Sequence, residues 1–102
     1  MLIFDEADQG VGGAVAAAVG ERLSRLAEDR QVMAITHSPQ VAAAGHTHWH
    51  ISKKVSDADE TSSKVTVLRG ETRLEEIARM LSGSEITNEA RAAAERLMAE
   101  PV

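Results

Sequence analysis

Two adjacent carboxylates, Asp5 and Glu6, follow directly on the apolar run Leu2-Ile3-Phe4. A short continuous apolar run reads as a strand buried on both faces, as inside a parallel sheet. Charges at its carboxyl end stand where open α/β sheets bind their ligands. Side by side they are costly unless a cation or a hydrogen-bond network offsets them. Such a pair can do Walker B chemistry: Asp5 holds a nucleotide-bound Mg²⁺, directly or through water, and Glu6 orients and deprotonates the attacking water. The same residues equally fit a strand that runs out into a solvated acidic turn.

A third group belongs with them. His37 follows a second apolar run, Gln31-Val-Met-Ala-Ile-Thr36, and the two runs are joined by a helical pattern over 11–28. Strand, helix, strand at this spacing predicts a βαβ unit with parallel strands. His37 then lies on the same sheet edge as Asp5 and Glu6, placed to donate a hydrogen bond to a γ-phosphate or to the attacking water. A lone His at the start of a loop is more often simply polar, and only its position beside the acidic pair raises the functional reading. Ser38 is a helix cap with Pro39 at the first position, and Gly45 stops that short helix.

Between the acidic pair and the first helix lies Asp8-Gln-Gly10-Val-Gly12-Gly13. It is not a dinucleotide fingerprint, because Val15 stands where the third glycine is needed, and no Gly-Lys-Ser/Thr follows anywhere in the chain. The glycines let the backbone turn sharply and approach a neighbour closely. The packing face of the first helix is expected to be Val11, Val15, Ala18, Val19, Leu23 and Leu26.

Composition bounds the rest. The 102 residues suffice for one small domain or part of one, and 43% apolar residues with one Phe, one Trp and no Tyr predict a core of Ala, Val, Leu, Ile and Met. Without cysteine there is neither a disulfide scaffold nor a thiolate zinc site. A net charge of −5 argues against a chain that coats nucleic acid by itself. No apolar run approaches the roughly 20 residues that span a bilayer, so no membrane partner is expected. A chain that opens on a buried-type strand is expected to be a fragment.

Downstream, His46, His48 and His50 alternate as on one face of a strand, a pattern able to hold Zn²⁺ but explained as well by a polar strand face. Residues 55–63 read as a polar loop, and Lys64 to Arg69 as a second strand that closes a hairpin with a long tip. Thr72-Arg-Leu-Glu75 reads as a capping box for a helix with Leu74, Ile77, Ala78 and Leu81 on one face, ended by Gly83. Thr87 or Asn88 opens a last helix through about Ala99, with Leu97 and Met98 available to pack.

Asp5-Glu-Ala-Asp8 also spells motif II of DEAD-box helicases, but in those proteins bulky residues follow it and the next strand leads into Ser-Ala-Thr. Here the order Leu2-Ile-Phe-Asp-Glu-x-Asp8, Gly10-x-Gly-Gly-Ala14-Val15, Thr36-His-Ser-Pro-Gln-Val-Ala42, Ile51-Ser-Lys-Lys54 and Glu76-Ile-Ala-Arg-Met-Leu-Ser-Gly83 resembles the RecN family. These are SMC-like, ABC-type ATPase heads of bacterial DNA repair, and the resemblance covers nearly the whole chain. It implies an α/β fold of three-layer P-loop type, represented by its carboxyl-terminal half: a parallel βαβ unit, a β-hairpin and two terminal helices over 1–102. It also implies roles: Asp5 as magnesium residue, Glu6 as catalytic base, His37 as γ-phosphate-sensing switch histidine, and Asp8, Gly10, Gly12 and Gly13 in the D-loop that meets a partner head.

The implied cofactors are ATP and Mg²⁺. The implied partners are the missing amino-terminal half of the head, a second head in an ATP-dependent dimer, and DNA during double-strand break repair, in the bacterial cytoplasm at the nucleoid. Walker A, Q-loop, signature motif and coiled coil are absent, and in this family they precede Walker B. Alone, the chain is therefore expected neither to bind ATP tightly nor to hydrolyse it, and exposed strand edges should make it marginal as a monomer. The other functional class is a non-catalytic interaction or dimerisation module derived from such a head.

Overall fold

The computed structural model describes residues 1–7, 9–83 and 85–99. The chain runs β1 (Leu2–Asp5), α1 (Gly13–Leu26), β2 (Val32–Ile35), α2 (Pro39–Ala44), β3 (His48–Val55), β4 (Thr61–Leu68), α3 (Gly70–Ser82) and α4 (Asn88–Ala99). β1 and β2 pair in parallel, with Leu2 beside Val32 and Asp5 beside Ile35, and β3 pairs antiparallel with β4. The α/β order expected from the apolar periodicities is the one observed.

Four expectations are corrected. β1 is not buried on both faces: Leu2 and Phe4 are half-buried, whereas Ile3 is 63% exposed. Among the described residues the parallel sheet has two strands, so neither strand is flanked on both sides. The packed face of α1 is only in part the branched one, with Val19 and Leu23 half-buried. Ala16 and Gly20 are buried while Val11, Val15 and Leu26 are exposed. The reason is α2, which lies so close that a Cβ on Gly20 would stand 3.1 Å from the Ala44 Cβ and 3.2 Å from the Gln40 carbonyl oxygen.

The hairpin tip is shorter than 55–63, because strand pairing continues to Val55 and Thr61. Ser56 closes the turn: its N–H donates to the Glu60 carbonyl at 2.8 Å. Finally, α3 starts two residues before Thr72. The Arg69 N–H donates to Thr72 Oγ1 at 3.1 Å, and the Thr72 hydroxyl donates to the Arg69 carbonyl at 2.7 Å, so threonine caps from inside the first turn. Thr87 caps α4 by accepting from the Ala90 N–H at 3.0 Å.

The core sits between α3 and α4, where Ile77, Ala78, Ala90 and Ala94 are buried and Leu74, Leu81, Leu97 and Met98 pack around them. Arg73 ties this core to the rest, donating to the carbonyls of Ala42 at 3.1 Å and Gly45 at 2.6 Å, at the end of α2. The α1–α2 seam has its own test. Gly20→Leu should cost about 1–3 kcal/mol in urea denaturation, since overpacking must displace backbone. Gly20→Ala should be nearly neutral, because its helix-propensity gain of up to about 1 kcal/mol offsets the milder crowding. Equal stability for Gly20→Leu and wild type would show that the seam is loose.

Candidate functional site

The carboxyl ends of β1 and β2 bring the proposed chemistry together. The Glu6 N–H donates to the Ile35 carbonyl at 2.7 Å, extending the parallel ladder by one residue. Beyond it the chain turns sharply, and Glu6 itself takes a positive φ of 51°. A β-carbon makes that region costly for residues other than Gly, by roughly 1–2 kcal/mol, and such backbone often marks a functional position. The turn aims the Glu6 carboxylate across the sheet edge, where Oε1 lies 2.9 Å from His37 Nε2. Thirty-one residues apart in sequence, the acid and the imidazole are neighbours within ion-pair distance. His37 is 92% exposed and Glu6 31%, so the pair opens to solvent on the imidazole side.

Asp5 is exposed at the strand end beside Ile35. Its carboxylate and that of Glu6 are the hard oxygen donors that Mg²⁺ takes, usually one or two from protein with the rest from water and phosphate. The chain offers no phosphate-cradling Gly-Lys-Ser/Thr loop to complete such a site. Asp8 lies outside the described residues. Gly10 has a φ of 79°, which only glycine adopts freely, and the Gln9 N–H closes the turn onto the Glu6 carbonyl at 3.0 Å. Gly12 caps α1 without a side chain and Gly13 begins it, with the amide of Gln40 3.3 Å from where a Cβ would be. On the other side, Ser38 holds α2 behind His37: its Oγ accepts from the Val41 N–H at 3.4 Å, and its own N–H donates to Thr36 Oγ1 at 2.9 Å. The site is thus framed by the starts of two helices that pack on each other through Gly20.

His46, His48 and His50 do not form one cluster. His46 precedes β3, while His48 and His50 lie on its sheltered face towards α3. His50 Nε2 stands 3.9 Å from Glu76 Oε1, and His48 Nδ1 is buried without a hydrogen-bond partner. Among the described residues, no group of three or more His, Asp or Glu is arranged to hold a metal ion.

Burial, then the Arg73 charge, pull the His48 pKa below its ordinary 6.5, with His50 adding to this and Glu76 opposing it. The hydrogen bond from Arg79, whose Nε donates to both carboxylate oxygens at 3.1 and 3.0 Å, holds Glu76 below the usual carboxylate range. Both shifts act in the same sense. The unfolded chain takes up the His48 proton first as pH falls through 6.5, so stability is full above that pH and declines below it. Glu76 adds a further loss at still lower pH, where its carboxylate protonates. The melting temperature should therefore fall between pH 7.5 and 5.5, and fall less in His48→Asn; equal declines would remove His48 as the cause.

Arg73 and Trp49 are the residues that sequence reading missed. Arg73 makes contacts 28–31 residues away, and nothing in the local pattern signals them. Trp49 sits in a regular alternation whose sheltered face turned out to be the histidine one.

No protein-family model matches the chain. It is 50% identical over 99 residues to the DNA repair protein RecN of Xylella fastidiosa strain Temecula1, covering 97% of this chain and 18% of that protein. The chain matches the carboxyl-terminal end of RecN. The Deinococcus radiodurans RecN is 55% identical over 83 residues, and that of Streptomyces coelicolor 48% over 96, covering 14% and 17% of those proteins. The chain therefore spans less than a fifth of the length of these RecN relatives. Among solved structures, a chain from work on ATP-driven dimerization and DNA-stimulated activation of SMC ATPases superimposes with a TM-score of 0.61 at 19% identity, over 81% of this chain and 48% of that one. The fold is thus similar to that of about half of this SMC ATPase chain, and the sequence is similar to RecN over nearly its whole length.

Proposed function

We propose that this chain supplies the water-activating and phosphate-sensing side chains of a RecN-type ATPase head acting in DNA double-strand break repair in the bacterial cytoplasm, at the nucleoid. The observation that carries the reading is the 2.9 Å pairing of Glu6 with His37 across the ends of two parallel strands. Glu6 accepts the proton of the attacking water; His37 orients that carboxylate and donates to the γ-phosphate once ATP is in place. Asp5 would hold Mg²⁺, which when bound neutralises charge on the β- and γ-phosphates. Asp8, Gly10, Gly12 and Gly13 form the loop offered to a second head. The phosphate-cradling loop belongs to a RecN-type amino-terminal portion, so the chain alone is inactive, and DNA engagement is a property of the assembled protein.

A second reading is binding without turnover, favoured by the 92% exposure of His37 and the lack of a Gly-Lys-Ser/Thr loop. The discriminating experiment mixes the chain with the amino-terminal portion of a RecN relative and follows magnesium-dependent ATP hydrolysis. Turnover that needs both pieces and vanishes in Glu6→Gln supports the ATPase; stable association with equal silence in wild type and variant leaves the binding module.

A further inference from the structure

The β3–β4 hairpin turns its polar face inward and its apolar face to water. Trp49, Ile51, Val65 and Val67 are 53, 56, 56 and 45% exposed. The register sets Trp49 opposite Val67 and Ile51 opposite Val65, so the four side chains form one block of cross-strand pairs. The histidines at 48 and 50 take the sheltered side instead, close to Arg73 and Glu76 on α3. Toward the tip the same face carries Lys53 and then Val55, which is 65% exposed, while Lys54 and Lys64 alternate onto the histidine face; neither strand carries an acid.

We propose that this block is the docking surface for the amino-terminal portion of a RecN-type chain, through an apolar patch with a carboxylate opposite Lys53. The inference rests on the RecN-type reading above and adds where the two pieces meet. Contiguous exposed apolar groups of this kind mark interaction surfaces on soluble proteins. Two observations choose the occupant. The RecN relatives carry more than four-fifths of their length outside the matched segment, which lies at their carboxyl-terminal end. Four half-exposed side chains offer only a few hundred Å², so packing two copies face to face falls short of the roughly 1,200 Å² of a stable specific interface. A larger partner can cover this block together with Val55 of the same strand face, which is 65% exposed, and reach beyond it.

Trp49 is the single tryptophan of the chain and reports directly on the block. The chain labelled with 5-fluorotryptophan is titrated with the amino-terminal portion of the Xylella fastidiosa RecN, and ¹⁹F NMR follows the resonance and its response to D₂O. The expected result is a shifted resonance that loses its D₂O response, with association weakened at least tenfold in Ile51→Lys and in Val65→Lys but not in Glu28→Lys. These side chains already face water, so the folded chain tolerates the changes, which circular dichroism checks. Wild-type affinity in both variants with an unmoved resonance would overturn the proposal, as would no association at all. Protection of Trp49 by raising the concentration of the chain alone, with a dimer in sedimentation, would overturn it in favour of a second copy. ATP turnover in the mixture with Trp49 unmoved would leave the ATPase reading standing without this interface. Protection of Trp49 without turnover would leave the interface standing without the ATPase.

Discussion

Replacing Glu6 by Gln is expected to lower ATP turnover in the two-piece mixture by about 10²- to 10⁴-fold, the range that a positioned general base contributes. Gln keeps the size of the side chain and still offers an oxygen to His37 Nε2 at the present 2.9 Å, so geometry is retained while the basic oxygen is lost. ATP affinity should stay near wild type, which places the loss in kcat. His37→Ala leaves the base in place but frees its carboxylate, and should cost less, roughly 10- to 100-fold. In the Glu6→Gln background His37→Ala should cost less than it does in the wild type, because the share of its role that runs through the carboxylate is already lost. Single-turnover kinetics with separately measured ATP binding checks all three. Independent, multiplicative losses would show that the imidazole does not work through the carboxylate. The backbone offers a further readout. Glycine relieves the positive φ of 51° at position 6, so Glu6→Gly should be no less stable than wild type while losing turnover. Such a trade of stability for activity marks strain kept for function.

The second large effect concerns the core. Ile77 is the one large side chain, among the described residues, with no exposed surface, and its buried companions Ala78, Ala90 and Ala94 are small. Truncation to Ala should therefore cost about 2–5 kcal/mol, since alanines around the site cannot close the cavity. A domain of this size has total stability of about 5–15 kcal/mol, so Ile77→Ala should lose a large part of its cooperative urea transition. Ile77→Val should cost only about 0.5–1.5 kcal/mol. Val55→Thr, at a position 65% exposed, should stay within about 0.5 kcal/mol. A midpoint for Ile77→Ala as close to wild type as that of Val55→Thr would place the stabilising core outside the α3–α4 contact.

Much of this was legible in the residues themselves. The period-3.6 apolar pattern of Leu74, Ile77, Ala78 and Leu81 named the core face of α3, because burial of one helical stripe is a local constraint. Two apolar runs joined by a helical pattern required parallel strands, and parallel strands carry Glu6 and His37 to one edge. The order of the motifs, and not any one of them, separated RecN-type sequence from the helicase spelling. Tertiary structure alone decided the rest. Which face of α1 packs depends on how near α2 comes, and at the 3.1 Å left beside Gly20 only the Ala16 and Gly20 face fits, whatever the apolarity of Val15. Which face of the hairpin is sheltered depends on α3, some twenty residues further along, so alternation announced two faces without saying that Trp49 would be on the wet one. The 2.9 Å contact between Glu6 and His37 required a backbone turn at Glu6 that residue type disfavours, held by the ladder bond to Ile35, the strand register and the Gln9 N–H on the Glu6 carbonyl.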